Sequence, residues 1–248
     1  MTQDDIAYAA RTLIEARRSG AQVSPPFALP DRAAVFAIQD EVARLSGGIG
    51  GWKVGASGRG AEPNPAPLLA GTVRRSPAAF DGRTLHMIGI EIEIAFRVGH
   101  DVPSRTTPVP TEEALKGIDA AFVAMEVCDT RIANYRNAHP SWLLADNQSN
   151  HALILGTPLT RWRDIEWDGL TVRLEIDGAL HTERRGGFAA GDPLWLVGWM
   201  IDHAARHRGG VRAGSIVTTG SWIGLPFFPP GVQARGTFDG LGEVEARF

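Results

Sequence analysis

Two glutamates, Glu91 and Glu93, stand two residues apart in the stretch Ile90-Glu91-Ile92-Glu93-Ile94-Ala95-Phe96-Arg97-Val98. The apolar positions there recur with a period of two, which predicts a strand. Residues i and i+2 share one strand face, so both carboxylates project together, roughly 7 Å apart. Paired carboxylates are hard oxygen ligands suited to Mg2+ or Mn2+. A solvated edge with two glutamates explains the same spacing. Glu126 adds to the case for chemistry. It interrupts the apolar run Ala121-Phe122-Val123-Ala124-Met125-Glu126-Val127-Cys128. An ionised carboxylate in such a run is costly unless paired or metal-bound. A salt bridge to Arg131 is the plainer alternative. Three carboxylates from two strands would leave coordination positions for substrate oxygens, as a Lewis-acid site requires.

Lysine usage points to a second group. Lys53 and Lys116 are the lysines among 25 basic residues, and Lys53 lies inside Gly51-Trp52-Lys53-Val54-Gly55. A lysine gains or loses a proton near neutrality when its pKa is depressed, and an arginine does not. The other candidates are weaker. The seven histidines have no zinc-like spacing, and His203 and His207 lack an HExxH context. His139, beside Pro140 and Trp142, borders a pocket at most. There is no GxSxG elbow and no strand–Gly–helix nucleotide signature. Cys128 reads as a small buried hydrophobe rather than a reactive thiol.

The elements that must position these groups follow from periodicity. Residues 3–18 carry an apolar stripe of Ile6, Ala9, Ala10, Leu13 and Ile14, with Thr2 and Asp5 at capping-box spacing. A second helix is predicted from the cap Asp31, with Val35, Ile38, Val42 and Leu45 on one face. After residue 50, short β-like segments recur between Gly and Pro signals. Phe122–Cys128, His151–Leu155 and Ile216–Thr219 read as strands. Residues 131–149 read as irregular or partly helical. Asp177-Gly178 marks a hairpin, residues 193–207 a helix, and 232–248 a closing hairpin around Asp239-Gly240-Leu241-Gly242. Thr111-Glu112-Glu113 reads as a helix cap and first turn. Many short strands with few helices predict α+β or mostly β, not a doubly wound sheet.

Composition sets the bounds. A chain of 248 residues, 44% hydrophobic and 21% charged, supports one sizeable core. The reading is a single catalytic domain over 1–248, with residues 1–50 a helical layer on a β-rich core of 51–248. The formal charge of −3 gives no basic excess for nucleic acid or anionic lipid. One cysteine allows no internal disulfide, and no apolar run reaches the roughly 20 residues of a spanning helix. No signal peptide is read at the N-terminus. A cytoplasmic protein without membrane or nucleic-acid partners is expected.

The ordered motifs also carry a resemblance. They are Gly51-Trp52-Lys53-Val54-Gly55, Gly89-Ile90-Glu91-Ile92-Glu93-Ile94-Ala95-Phe96 and Met125-Glu126-Val127-Cys128-Asp129-Thr130-Arg131-Ile132, then Ala145-Asp146-Asn147-Gln148-Ser149 and Thr219-Gly220-Ser221. Together the chain resembles the 2-keto-4-pentenoate hydratase and 4-oxalocrotonate decarboxylase branch of the fumarylacetoacetate hydrolase superfamily. The resemblance implies a mixed β-roll or β-sandwich core with flanking helices. It implies Glu91, Glu93 and Glu126 as ligands of Mg2+ or Mn2+, and Lys53 as the pocket lysine. Asp129, Arg131, Asp146 and Ser221 fall on segments that border or brace the pocket. Homo-oligomers are usual in this branch.

Departures from that branch bear on the reaction. An acidic residue is usual near Glu62-Pro63-Asn64-Pro65. With Asn64 in its place, a proton-transfer group is lost unless Glu62 compensates. Trp222 to Pro230 is bulkier and more proline-rich than expected, which implies a more apolar pocket. The expected activity is hydration of a 2-hydroxy-2,4-dienoate to a 4-hydroxy-2-oxo acid. Catalysis is assigned to Lys53, Asp146 and Glu62, and substrate binding to Arg131, Ser221, Asn64 and His139. A depressed Lys53 pKa is expected to make it a base. No organic cofactor is required. The alternatives are decarboxylation of a 4-oxalocrotonate-like enedioate, hydrolysis of an acylpyruvate, and a degenerate 2-oxo acid binding protein.

Overall fold

The computed structural model describes residues 1–159 and 161–248. Local signals set the first elements. Thr2 and Asp5 form a reciprocal capping box that starts α1 (Gln3–Ser19), and Gly20 ends it in the left-handed region. Asp31 caps α2 (Arg32–Leu45) through the amide of Ala34. The strands that follow are β1 (Ile49–Gly55), β2 (Asn64–Leu69), β3 (Val73–Arg75), β4 (Ala78–Ala79), β5 (Ile88–Val98) and β6 (Val102–Pro103). Next come α3 (Thr111–Lys116), β7 (Ile118–Cys128), α4 (Pro140–Ala145) and β8 (Asn150–Leu159). The chain continues through β9 (Thr171–Ile176), β10 (Ala179–Arg185), α5 (Pro193–His207), β11 (Gly210–Val211) and β12 (Ile216–Thr218). It closes with β13 (Phe227–Phe228), β14 (Gln233–Phe238) and β15 (Gly242–Arg247).

An eight-stranded mixed sheet runs β2-β1-β12-β5-β7-β8-β3, with β13 also paired to β5. A five-stranded sheet runs β10-β9-β14-β15-β4, and β11 pairs with β6. This is the α+β architecture with a curled sheet core and flanking helices that the sequence implied. The Asp177-Gly178 and Asp239–Gly242 hairpins both form. One cap differs. Pro110 occupies the N-cap of α3 without a side-chain hydrogen bond, and Thr111 lies inside the helix. Proline's fixed backbone supplies the extended geometry that a capping side chain would otherwise stabilise.

The sheets sandwich the main core. Ile90, Ile92, Ile94 and Phe96 of β5 join Val172, Leu174, Ala234, Phe238 and Val244 of the second sheet, with Leu196, Val197 and Met200 of α5. Contact is close enough that a Cβ at Gly236 would run into Ile92. A second cluster holds α1 and α2 against Ile132 and Trp142 through Ala9, Leu13, Val35 and Ile38. The opposite face of β5 carries a small apolar patch of Leu68, Ala95, Ala124, Leu153 and Ile216. That face also carries the candidate chemistry. Among the described residues, no helix is long and apolar enough to cross a membrane.

Candidate active site

Strand register decides which side chains meet. In the antiparallel β5–β7 pair, Glu91 faces Glu126, Glu93 faces Ala124, and Gly89 faces Cys128. Alternate rungs point to one side, so the three glutamates and Cys128 share a face. On the next strands, Ala95 pairs with Thr218, which pairs with Lys53. Lys53 therefore rises from the same face. Gly51 makes this possible, because a Cβ there would collide with the Ile216 carbonyl of β12. The solvated-edge alternative fails because β5 lies inside the sheet and Glu93 is fully buried.

The carboxylates are partly satisfied. Lys53 Nζ donates to Glu126 Oε1 at 2.5 Å and to the Gln148 carbonyl at 3.4 Å. Asn150 Nδ2 donates to the same Glu126 oxygen at 3.0 Å. Arg17 of α1 in turn donates to the Asn150 carbonyl at 2.8 Å. Glu93 Oε2 accepts from the Thr218 hydroxyl, and from the Gly220 amide at 3.1 Å. Gly220 makes that turn at φ +97°, a region glycine enters freely. Glu126 pairs with Lys53 rather than with Arg131, which corrects the simpler salt-bridge reading.

Two buried oxygens, Glu93 Oε1 and Glu126 Oε2, have no hydrogen-bond partner among the described residues. Three carboxylates against one ammonium would also leave an excess of negative charge here whenever all three are ionised. Such groups are costly unless a cation meets them. Hard oxygen donors and orphaned lone pairs fit a divalent ion such as Mg2+ or Mn2+, and Glu91, Glu93 and Glu126 are the carboxylates on this face that could hold one.

Electrostatics follow the crowding. Burial and then the charge of Glu126 push Glu91 up to about 7. Burial, then Glu126 and Glu91, push Glu93 up to about 8. Burial alone lowers the Lys53 ammonium, but Glu126, Cys128, Glu91 and Glu93 together outweigh it and raise its pKa. The expected depression is that of a lysine beside a bound metal; the carboxylates by themselves favour the ammonium. In this geometry Lys53 is a held proton rather than a ready base.

A cavity of about 380 Å3 opens over the face. Lys53, Glu91, Glu93 and Cys128 supply its polar floor, and Val54, Phe188 and Leu225 its apolar walls. Phe188 stacks on Trp222 with ring centroids 4.8 Å apart. The bulky Trp222–Pro230 segment thus contributes an apolar wall and its support. Ser221 also lines the cavity, and its hydroxyl donates to the Gly224 carbonyl at 2.6 Å.

Other named residues lie elsewhere. Asp146 and Arg131 form a buried ion pair at 2.5 Å, tightened by the Arg131 amide at 3.0 Å. Burial raises the Asp146 pKa against the opposing pull of Arg131. Neither lines the cavity. Asp129 accepts the amides of His86 and Met87, each at 3.0 Å. Glu62 is exposed and pairs with Arg32 at 3.2 Å. Asn64 accepts from the same arginine at 2.7 Å and lines a neighbouring cavity that shares Gln148 with this one. His139 is exposed and caps α4 through Nδ1 at 3.2 Å from the Ser141 amide.

Sequence reasoning missed Cys128, Thr218, Asn150 and Phe188 as neighbours of the site. Cys128 had a signal, since it stands two residues after Glu126 and shares its face. Thr218 and Asn150 had none, because cross-strand register places them.

The chain belongs to the fumarylacetoacetate hydrolase family. Residues 68–248 match the profile described as fumarylacetoacetate (FAA) hydrolase C-terminal. The chain is 34% identical over 164 residues to a 2-keto-4-pentenoate hydratase of Paraburkholderia phymatum, covering 64% of this chain and 60% of that protein. A 2-keto-4-pentenoate hydratase of Burkholderia vietnamiensis is 29% identical over 163 residues, with the same coverage. The chain thus spans 60% of the length of these curated relatives. The fold is similar to that of 4-oxalocrotonate decarboxylase from Pseudomonas putida G7, solved with magnesium and adipate. The TM-score is 0.85 at 23% identity, over 100% of this chain and 98% of that one.

Proposed function

We propose that this protein is a divalent-metal-dependent carboxy-lyase that releases CO2 from a 4-oxalocrotonate-like 2-oxo-enedioate. One observation carries the choice among reactions. Among the described residues lining the cavity, the ionisable groups are Lys53, Glu91, Glu93 and Cys128. Hydration needs a further group to orient water at C4, and Glu62 and Asn64 are engaged with Arg32 outside the cavity. Decarboxylation needs an electron sink and a proton, and the cavity offers both. The full-length likeness of fold to a 4-oxalocrotonate decarboxylase agrees with this reading.

When bound, Mg2+ or Mn2+ would supply the Lewis acidity that stabilises enolate charge developing on a 2-oxo acid. Glu91, Glu93 and Glu126 would hold the ion, and Thr218 with Gly220 fixes the orientation of Glu93. Phe188, Val54 and Leu225 restrict water around the substrate chain. The bond to the departing carboxylate breaks, and its electron pair moves through the conjugated chain toward C2. Lys53 then delivers its Nζ proton to the electron-rich product, while Glu126 keeps the ammonium within the cavity.

Hydration is the second reading, favoured by the 34% identity to a protein named a hydratase. The test is an assay of a 2-oxo-enedioate and a 2-hydroxydienoate with Mg2+ or Mn2+. CO2 release from the first supports the proposal. Loss of dienol absorbance from the second, without CO2 release from the first, replaces it with hydration. The working form is proposed to be a homo-oligomer, with exposed Leu180 and Phe227 as candidate contact residues. Light scattering showing a monomer at assay concentration would remove the oligomer.

A further inference from the structure

The acidic face holds a sulfur that the proposed reaction does not use. Cys128 is buried, and its Sγ lies 3.7 Å from Glu91 Oε2 and 3.7 Å from Glu126 Oε1. One donor atom from each of Glu91, Glu126 and Cys128 lies within 4.8 Å of the others. Register explains this. The Glu91–Glu126 rung is flanked by the Gly89–Cys128 rung on one side and the Glu93–Ala124 rung on the other. Glu93 is held on its own side by Thr218 and Gly220. A second observation points to a ligand. Glu126 is fully buried, and its Oε2 has no partner.

We propose that Cys128, Glu91 and Glu126 form a mixed sulfur–oxygen donor set that captures thiophilic divalent ions of the Zn2+ and Cd2+ class. This set shares Glu91 and Glu126 with the oxygen-only set, so the two classes of ion exclude each other. Three protein ligands with an open position suit tetrahedral Zn2+, and a thiolate donor favours soft ions over Mg2+. On binding, the metal–sulfur bond replaces the S–H bond and the proton passes to solvent. The soft ion then sits one rung toward Cys128, away from Glu93. Zn2+ and Cd2+ are therefore expected to displace the working ion rather than substitute for it.

The experiment titrates metal-free, full-length protein with Cd2+ and no substrate. The readout is the ultraviolet thiolate-to-metal charge-transfer band. The chain has a single cysteine, so the band reports Cys128 alone. The expected result is growth of the band to one equivalent and its reversal by excess Mg2+. Glu91→Gln is expected to weaken Cd2+ binding at least about tenfold. Cys128→Val is expected to lose the band, keep the melting profile, and hold Mg2+ affinity within about twofold, where a lost ligand would cost more. No band at saturating Cd2+ overturns the proposal. So does a band whose affinity ignores Glu91→Gln, since the thiol then binds alone. None of these outcomes depends on turnover, so they stand apart from the test for decarboxylation.

Discussion

The Lys53 ammonium and the Glu126 carboxylate, 73 residues apart in sequence, meet at 2.5 Å on a face from which solvent is nearly absent. Each satisfies the other, and each also serves a further task. Glu126 belongs to the carboxylate cluster, and Lys53 opens into the cavity. Lys53→Met should therefore separate two effects. Turnover should fall by about 10²–10⁴-fold, the range for loss of a positioned proton donor. Metal affinity should change little. The metal-free variant should lose about 3–5 kcal/mol of stability, since Glu126 is left charged and unpaired. Calorimetric metal titration beside steady-state kinetics checks the split, and parallel losses in kcat and metal affinity would contradict it.

Glu93→Gln should behave in the opposite sense on stability. Above pH about 8, where Glu93 is ionised, it removes one charge from a crowded cluster and keeps the shape and the contacts to Thr218 and Gly220. The metal-free protein should melt higher than the parent. Affinity for Mg2+ or Mn2+, and metal-dependent turnover, should collapse. A variant that melts lower and still binds metal would show that Glu93 serves packing alone.

Protons and metal should compete on this face. Glu91 is raised to about 7 and Glu93 to about 8, above ordinary carboxylates near 4.5. A raised folded-state pKa stabilises the fold at low pH, and that contribution disappears as pH rises through about 7 and 8. Stability of the metal-free protein should therefore fall from about pH 4.5 to about pH 8 and level off above that. On the acid side, burial holds His151 and His203 down to about 4. Their contribution is present above the unfolded value of 6.5 and is lost as pH falls toward 4. Added metal holds the carboxylates ionised, so its stabilisation should grow from pH 6 to pH 9, with proton release. Melting scans with and without Mn2+ check this, and a flat metal-induced shift would count against the shared site.

Asp146→Asn tests the brace behind the cavity. Arg131 loses its charged partner in a buried space, so a loss of about 3–5 kcal/mol is expected. Stability should suffer far more than kcat among molecules that remain folded. A large fall in kcat with unchanged melting would return Asp146 to direct catalysis.

Much of this arrangement was legible because short-range rules govern it. The alternation from Ile90 to Phe96 placed Glu91 and Glu93 on one face, and Asp177-Gly178 marked its hairpin. The family motifs pointed to Glu126 and Lys53. Composition could not show that Lys53 would be held protonated, since its pKa depends on how many carboxylates crowd one ammonium. The partners of Asp146, Glu62 and Asn64 were hidden for a related reason. Arg131 and Arg32 reach them through packing of α4 and α2, and single-chain spacing does not encode those approaches. Residues 147–149 were also opaque. Asn147, Gln148 and Ser149 all adopt positive φ, a costly run for side-chain-bearing residues that turns the Gln148 carbonyl toward Lys53.

Arg17 grips the backbone of Asn150, whose amide in turn grips Glu126. The leading helix is thereby a tether on the innermost acid, although the family match begins only at residue 68. Shaving away that helix would spare every side chain named in the reaction and still slacken the floor on which it runs.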